Sequence, residues 1–275
     1  MTPSADEINR ANVALWNEWA MIHERSAAYD VPGLIQGKSS LHALELEEVG
    51  VVSGRSLLHL QCHIGLDTLS WARLGATVTG VDYSPSAISI ASRVSAEANI
   101  PAEFICCNLY ELYAQLNRQF DIVFTSYGVL MWLPDLKKWA GVISRYLRPG
   151  GFFYMIELHP FAAVFDADNP DAELRVRDAY FRPGEPVRLE GQGTYAEPLA
   201  QVKQTEHYEW THTLGEVVSA LAGVGLEIEF LHEFPYCVEG MLTNLMERSD
   251  DGWFRLKNHD QYIPLMYSIR AGKPR

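Results

Sequence analysis

Residues 57–82 read LLHLQCHIGLDTLSWARLGATVTGVD. They divide into a strand, a turn, a helix and a second strand. Leu57 to Leu60 is a short apolar run, and the turn that follows ends on Gly65. Leu66 to Leu74 has a helical pattern and stops at Gly75, since glycine takes the left-handed conformation that closes a helix. Ala76 to Asp82 is rich in β-branched residues and ends on a carboxylate. A glycine between strand and helix lets the backbone approach a ligand without a Cβ clash. Amides at the start of the next helix can hold an anion such as a carboxylate.

The alternation continues outward. Ser84 followed by Pro85 predicts a helix start, with a capping side chain and proline in the first helical position. Glu103 to Cys107 and Phe120 to Thr125 read as a third and a fourth strand. The helix after Pro134 places Leu136, Trp139, Val142, Ile143 and Tyr146 on one side and stops at Arg148-Pro149-Gly150-Gly151. Phe152 to Leu158 is apolar enough to be buried on both faces. Such alternation predicts an α/β fold with a parallel sheet and right-handed crossovers. Ligands in such sheets bind beyond the carboxyl ends of the strands, where strand order reverses.

The flanks differ. Residues 1–50 are helical in pattern and predict an N-terminal helical cap, with Trp16, Trp19, His23 and Tyr29 in it. Residues 160–206 hold several Pro and Gly without a clear period, and predict a lid inserted in a domain that runs over 51–275. Loops of that length are seldom kept without a function. Leu214 to Leu221 looks helical, and Leu226 to Phe234 and Tyr262 to Arg270 look like strands.

The net charge of −13 argues against nucleic acid as a partner, because phosphate backbones are held by basic faces. No apolar run approaches the ~18 residues of a membrane span. The first residues, Met1 to Glu7, lack the basic and apolar regions of a secretory leader, so a cytoplasmic protein is expected. Cys62, Cys106, Cys107 and Cys237 have no metal-ligand spacing, and no metal is expected. The acidic runs Glu45 to Glu48 and Asp166 to Asp171 are expected to be solvated surface. A homodimer is compatible with the sequence, which does not decide it.

The run 57–82, with FDIVFTSYGVL at 120–130 and YLRPGGFFYMIEL at 146–158, resembles the class I S-adenosylmethionine-dependent methyltransferases. The resemblance covers about residues 50–160. It implies a Rossmann-like seven-stranded sheet whose last strand is antiparallel, Tyr262 to Arg270 being that strand. It also implies that S-adenosylmethionine is the cofactor and S-adenosylhomocysteine the product. Gly65 matches the last glycine of the family's first motif, and Asp82, followed by Tyr83, the acid that binds the ribose. Asn108 and Leu109 match the adenine position, while Thr125, Ser126 and Tyr127 match the strand end where cofactor and acceptor meet. The chain departs from the pattern at His59, where an acid is usual, and at Gln61 and His63, where glycines are usual. These departures imply a different loop, assisted by aromatic residues such as Trp16 and Tyr29, whose faces attract a sulfonium by ~0.5–2 kcal/mol.

Methyl transfer by in-line displacement is therefore the expected chemistry, with a nitrogen or oxygen of a small molecule as acceptor. His159 is the first candidate for a general base, because it follows Glu157 at the carboxyl end of a strand; the alternative is that it pins the segment after it. His207, His212 and His232 are lesser candidates, and His23 either reaches the site from the N-terminal segment or, as expected first, lies at the surface. Trp16, Trp19, Tyr127, Trp132, Phe161, Tyr180, Phe181, Tyr195 and Trp210 either line a closed acceptor pocket or pack the core and lid. Two other functions share part of the pattern: a non-catalytic S-adenosylmethionine-binding regulator, and an NAD-dependent oxidoreductase, whose G-x-G-x-x-G turn is missing.

Overall fold

The structure, a computed structural model, describes residues 3–167, 169–170, 173–182, 184–258 and 261–275. Three helices come first: α1 (Ala5–His23), α2 (Val31–Ile35) and α3 (Ala43–Val49). Strands β1 (Ser56–Leu60), β2 (Thr77–Asp82), β3 (Glu103–Cys106), β4 (Phe120–Ser126) and β5 (Leu147–Leu158) follow. Helices α4 (Leu66–Arg73), α5 (Pro85–Glu97) and α6 (Leu136–Tyr146) lie between them. The chain then forms a hairpin of β6 (Val187–Glu190) and β7 (Glu206–Glu209), helix α7 (Leu214–Gly223) and strand β8 (Glu227–Phe234). It ends with a hairpin of β9 (Met246–Arg248) and β10 (Phe254–Leu256) and a last strand, β11 (Met266–Gly272).

The main sheet has seven strands in the order β3-β2-β1-β4-β5-β11-β8. β1 to β5 are parallel, and β11 runs antiparallel between β5 and β8. This is the mostly parallel sheet with an antiparallel last strand that the resemblance implies. Strand order reverses between β1 and β4, which opens a crevice at their carboxyl ends.

Side chains alternate across the sheet with a period of two. Leu58, Leu60, Val123, Phe153 and Met155 pack with Trp139 and Ile143 of α6. Leu57, Ile122, Phe124, Tyr154 and Ile156 pack with Trp71 of α4 and Val49 of α3. Truncating a wholly buried tryptophan such as Trp139 costs ~3–5 kcal/mol. The helix ends follow the local signals. Gly75 leaves α4 with φ 91°, and the Ser84 hydroxyl accepts the Ala87 N–H at 3.1 Å with Pro85 opening α5.

Some boundaries differ from expectation. β5 begins at Leu147 and runs through Arg148-Pro149-Gly150-Gly151, because Lys273 after β11 exchanges hydrogen bonds of 2.8 Å with Gly150 and Gly151. β11 starts at Met266, four positions later than read, and the β9–β10 hairpin was not legible in so short an apolar pattern. The run Glu45 to Glu48 is not all solvated. Glu45 is fully buried, and Glu48 accepts hydrogen bonds from the Tyr154 hydroxyl at 2.8 Å and from His232 at 2.7 Å. In the second acidic run Asp166 pairs with Arg177, while Asp168 and Asp171 lie outside the described residues.

Helix α1 opens with a Ser4–Glu7 capping box and is fixed from two sides. On one, the Asn17 Oδ1 accepts from the Ser84 hydroxyl at 2.8 Å and the Ser86 N–H at 3.1 Å, at the start of α5. On the other, Asn12 forms a two-way clamp with the Tyr208 backbone in β7, at 2.8 and 2.9 Å. Glu18 accepts the N–H groups of Lys203 and Gln204. The N-terminal helix and the end of the 160–206 segment are thereby drawn together beside the crevice. No described helix is long and apolar enough to cross a membrane.

Candidate active site

The turn between β1 and α4 is the floor of the crevice. Gln61, His63 and Gly65 all have left-handed backbones, with φ 56°, 50° and 77°. The two missing glycines therefore did not change the conformation for which glycine is the usual choice; residues with side chains hold it instead. Gly65 itself is obligatory, because a Cβ there would lie 2.8 Å from Ala91 Cβ and from the Phe104 ring. Asp82, at the end of β2, accepts the His63 N–H and the Ser84 N–H, each at 2.9 Å. Burial raises its pKa to about 6, against the lowering effect of those two bonds. Next to it the Tyr83 hydroxyl is buried without a partner.

Asn108, after β3, accepts the Tyr110 N–H at 3.0 Å and caps a 3-10 turn over Leu109–Ala114. Leu109 packs into the core beside Leu112. His59 does not reach into the turn: it is 2% exposed, bonds Thr68 Oγ1 through Nδ1 at 2.8 Å and meets Phe124 edge-on. Burial depresses its pKa to about 4, so it is neutral.

Above the turn stands an aromatic wall. The His63 Nε2 meets the His23 Nδ1 of α1 at 2.9 Å, so His23 is wholly buried and not at the surface as expected. Burial lowers both pKa values, that of His23 to about 3, and keeps the pair uncharged. Trp16 packs edge-on against His63 at 5.1 Å and against Trp132 at 5.2 Å. Tyr29 stacks on His23 at 4.9 Å, and its hydroxyl bonds that of Tyr195 from the inserted segment. Tyr195 also meets Trp19 at 5.8 Å. Phe161, Tyr180 and Phe181 pack on one another, outside this wall.

The opposite side of the crevice is made by the ends of β4 and β5. The Ser126 hydroxyl donates to Asp67 at 3.1 Å, and Ser40 donates to the other oxygen of Asp67 at 2.6 Å. Tyr127 has φ 41°, and its buried hydroxyl, without a hydrogen-bond partner, lies beside the carboxyl of Glu45. Burial, with the charge of Asp67, pushes the Glu45 pKa up to about 8. Glu157 turns back into the loop after β4 and accepts the N–H groups of Val129 at 2.8 Å and Leu130 at 3.1 Å, besides those of Gly128 and Leu158.

His159 is not brought to Tyr127. Its Nδ1 accepts the Phe161 N–H at 3.1 Å, its Nε2 lies 3.0 Å from Glu233 of β8, and its ring meets Tyr267 edge-on. Through Nδ1 it holds the start of the segment after β5. His207 packs against Trp132 at 5.7 Å, and His212 bonds the Leu133 carbonyl at 2.7 Å. Asp67 and Glu45 lie at this side of the crevice and were not singled out from the sequence, though Asp67's place two residues after Gly65 was a usable signal. All four cysteines are free, Cys62 and Cys237 being buried, and no group of metal-ligating side chains occurs among the described residues.

Residues 58–155 match the methyltransferase domain family. An uncharacterized methyltransferase of Synechocystis sp. is 32% identical over 126 residues, which are 46% of this chain and 57% of that protein. A ubiquinone biosynthesis O-methyltransferase of Xanthomonas oryzae pv. oryzae is 28% identical over 167 residues, 60% of this chain and 66% of that protein. The chain thus spans less than two thirds of the length of these relatives, 57% and 66%. An S-adenosylmethionine-dependent methyltransferase from Mesorhizobium loti superposes with a TM-score of 0.57 at 21% identity, covering 86% of this chain and 99% of that one. One from Clostridium acetobutylicum covers 95% of this chain and 100% of its own, with a TM-score of 0.55 at 16% identity. Residues 58–155 are thus similar to a methyltransferase domain, and the strand order of the chain is the fold of the solved S-adenosylmethionine-dependent methyltransferases.

Proposed function

We propose that the chain transfers the methyl group of S-adenosylmethionine to a nitrogen or oxygen of a small, flat, aromatic or apolar molecule. The observation that carries this is the closure of Trp16, Tyr29, Trp132 and Tyr195 over the turn that ends on Gly65. A macromolecular acceptor would need an open approach, whereas Trp16, Tyr29, Trp132 and Tyr195 pack over this turn.

The residues present fit the cofactor. Asp82 offers a carboxylate already aligned by two N–H groups, suited to a pair of ribose hydroxyls. The buried, unpartnered Tyr83 hydroxyl lies on the same side, and Asn108 and Leu109 form the adenine end. Amides opening α4 after Gly65 suit the amino-acid carboxylate. The uncharged His63 and its aromatic neighbours suit a sulfonium cation. Bound there, the cofactor supplies an activated methyl group.

What the protein adds is alignment, worth ~7–11 kcal/mol when the reacting atoms are held ~3–3.5 Å apart. Tyr127, its pKa raised well above the ordinary value by burial, keeps its proton and orients the acceptor as a donor. Ser126 holds the strand end that carries it. The segment 160–206 serves as the lid, through Tyr195. A pyrophosphate would meet the side chains of Gln61 and His63 where a dinucleotide fingerprint has glycine. Calorimetric titration with S-adenosylmethionine, S-adenosylhomocysteine and NAD tests the proposal. Binding of the first two and not of NAD is expected; binding of NAD alone would overturn it.

A further inference from the structure

In this chain the strand position that usually carries an acid is His59, which is buried, neutral and bonded to Thr68. A cofactor ammonium placed at the ends of β1 and β4 then needs its negative charge from elsewhere. The carboxylates around the crevice can be sorted by what already occupies them. Asp82 takes the His63 and Ser84 N–H groups on the β2 side. Glu157 is surrounded by four N–H groups. Glu45, raised to about 8, is uncharged at neutral pH, and Glu239, buried near Glu157, Tyr29 and Tyr195, is raised to about 7 and carries no full charge there.

Asp67 remains. It stands in the first turn of α4, half-buried, and is held by two hydroxyls, Ser40 at 2.6 Å and Ser126 at 3.1 Å. A carboxylate has about four lone-pair sites, so acceptor capacity is left. A second observation points to the same seam. The Gln61 side-chain N–H donates to the Val129 carbonyl at 3.0 Å, which fixes the amide's orientation and leaves Oε1 buried with no donor. Gln61 to Val129 and Asp67 to Ser126 are two bridges across the same gap, from the turn after β1 to the end of β4. Each contributes an acceptor to the gap.

We propose that Asp67, assisted by Gln61 Oε1, is the counter-ion for the cofactor's α-ammonium group and replaces the acid missing at His59. The inference rests on the methyltransferase reading and gives that site a residue assignment of its own. A charged hydrogen bond of this kind distinguishes a ligand bearing the ammonium from one without it by roughly 10- to 100-fold in affinity.

The test is calorimetric, on the full chain, with S-adenosylhomocysteine and its deamino analogue, which lacks only the α-amino group. The wild type is expected to prefer the former by roughly 10- to 100-fold. Asp67→Asn, which keeps the shape, is expected to reduce that preference to within about threefold by weakening S-adenosylhomocysteine alone; retained affinity for the deamino analogue reports that the variant is folded. Gln61→Met removes the unpaired acceptor without changing charge, and is expected to reduce the preference by a smaller factor. The inference is overturned if Asp67→Asn keeps the wild-type preference, or if both ligands are weakened alike. Failure of the wild type to bind either compound would overturn the methyltransferase reading beneath it, which is a distinct result.

Discussion

The two sides of the crevice are built on different principles. Beside β1 and β2 the backbone does the holding: three left-handed residues, one glycine without room for a Cβ, and a carboxylate aligned by two N–H groups. Beside β4 and β5, and in the wall of Trp16, Tyr29 and Tyr195 that stands over the turn, the work falls to side chains brought from distant segments, such as Tyr127 with Glu45 and Asp67 with Ser40. A backbone site is fixed by local sequence and tolerates no change of shape. A side-chain site tolerates change at any one position but depends on how the outer segments dock.

The largest expected effect breaks the backbone side. Gly65→Ala forces a Cβ against Ala91 and Phe104 at a left-handed residue and should cost ~3 kcal/mol of stability, read as a lower denaturation midpoint. Gln61→Gly, which relaxes its left-handed neighbour, should change stability by no more than ~1 kcal/mol. Equal losses would show that the turn is not held as described.

Asp82→Asn should weaken S-adenosylhomocysteine by roughly 10- to 100-fold, since ribose hydroxyls lose a charged acceptor. Its pH dependence has a definite sign. The free carboxyl has a pKa of about 6, and binding favours the ionised form. Wild-type affinity should therefore fall as pH drops through about 6, and the Asn variant should show no such fall.

On the other side, Tyr127→Phe should lower kcat by about tenfold or more. His159→Gln should leave turnover within about threefold and cost ~1 kcal/mol of stability, through its bonds to Phe161 and Glu233. The reverse outcome would return His159 to the role of general base. The smallest effect is expected from Tyr195→Phe, which removes only the hydroxyl contact with Tyr29. A rise of about two- to fivefold in the acceptor KM, with cofactor affinity unchanged, would assign the wall to the acceptor and not to the cofactor.

Much of the first side was legible before any coordinates. Gly65, Asp82 and the Ser84-Pro85 helix start carry their meaning in local spacing, because the chain passes through them as strand, turn and helix in unbroken order. His59 and His159 carry less of their meaning in local spacing, for a common reason. Each stands at a strand end where a functional group is expected, and each has its Nδ1 held by a neighbour that strand spacing does not reveal: Thr68 for one, the Phe161 N–H for the other. Glu45 looked like part of a solvated acidic run, yet the first turn of a short helix turned it inward.

The sequence by itself determined the parallel strand–helix alternation and the floor of the crevice, since hydrophobic period, glycine and helix caps act within a few residues of themselves, while the antiparallel last strand was implied by the family resemblance. Only the tertiary structure decided what stands over that floor. The buried His23–His63 pair, the Asn12 clamp on Tyr208 and the meeting of Tyr29 with Tyr195 join residues that no local pattern connects. They exist because α1 and the end of the inserted segment bury their aromatic and amide groups against each other, and burial of that kind is a property of the assembled surface, not of any one stretch of chain.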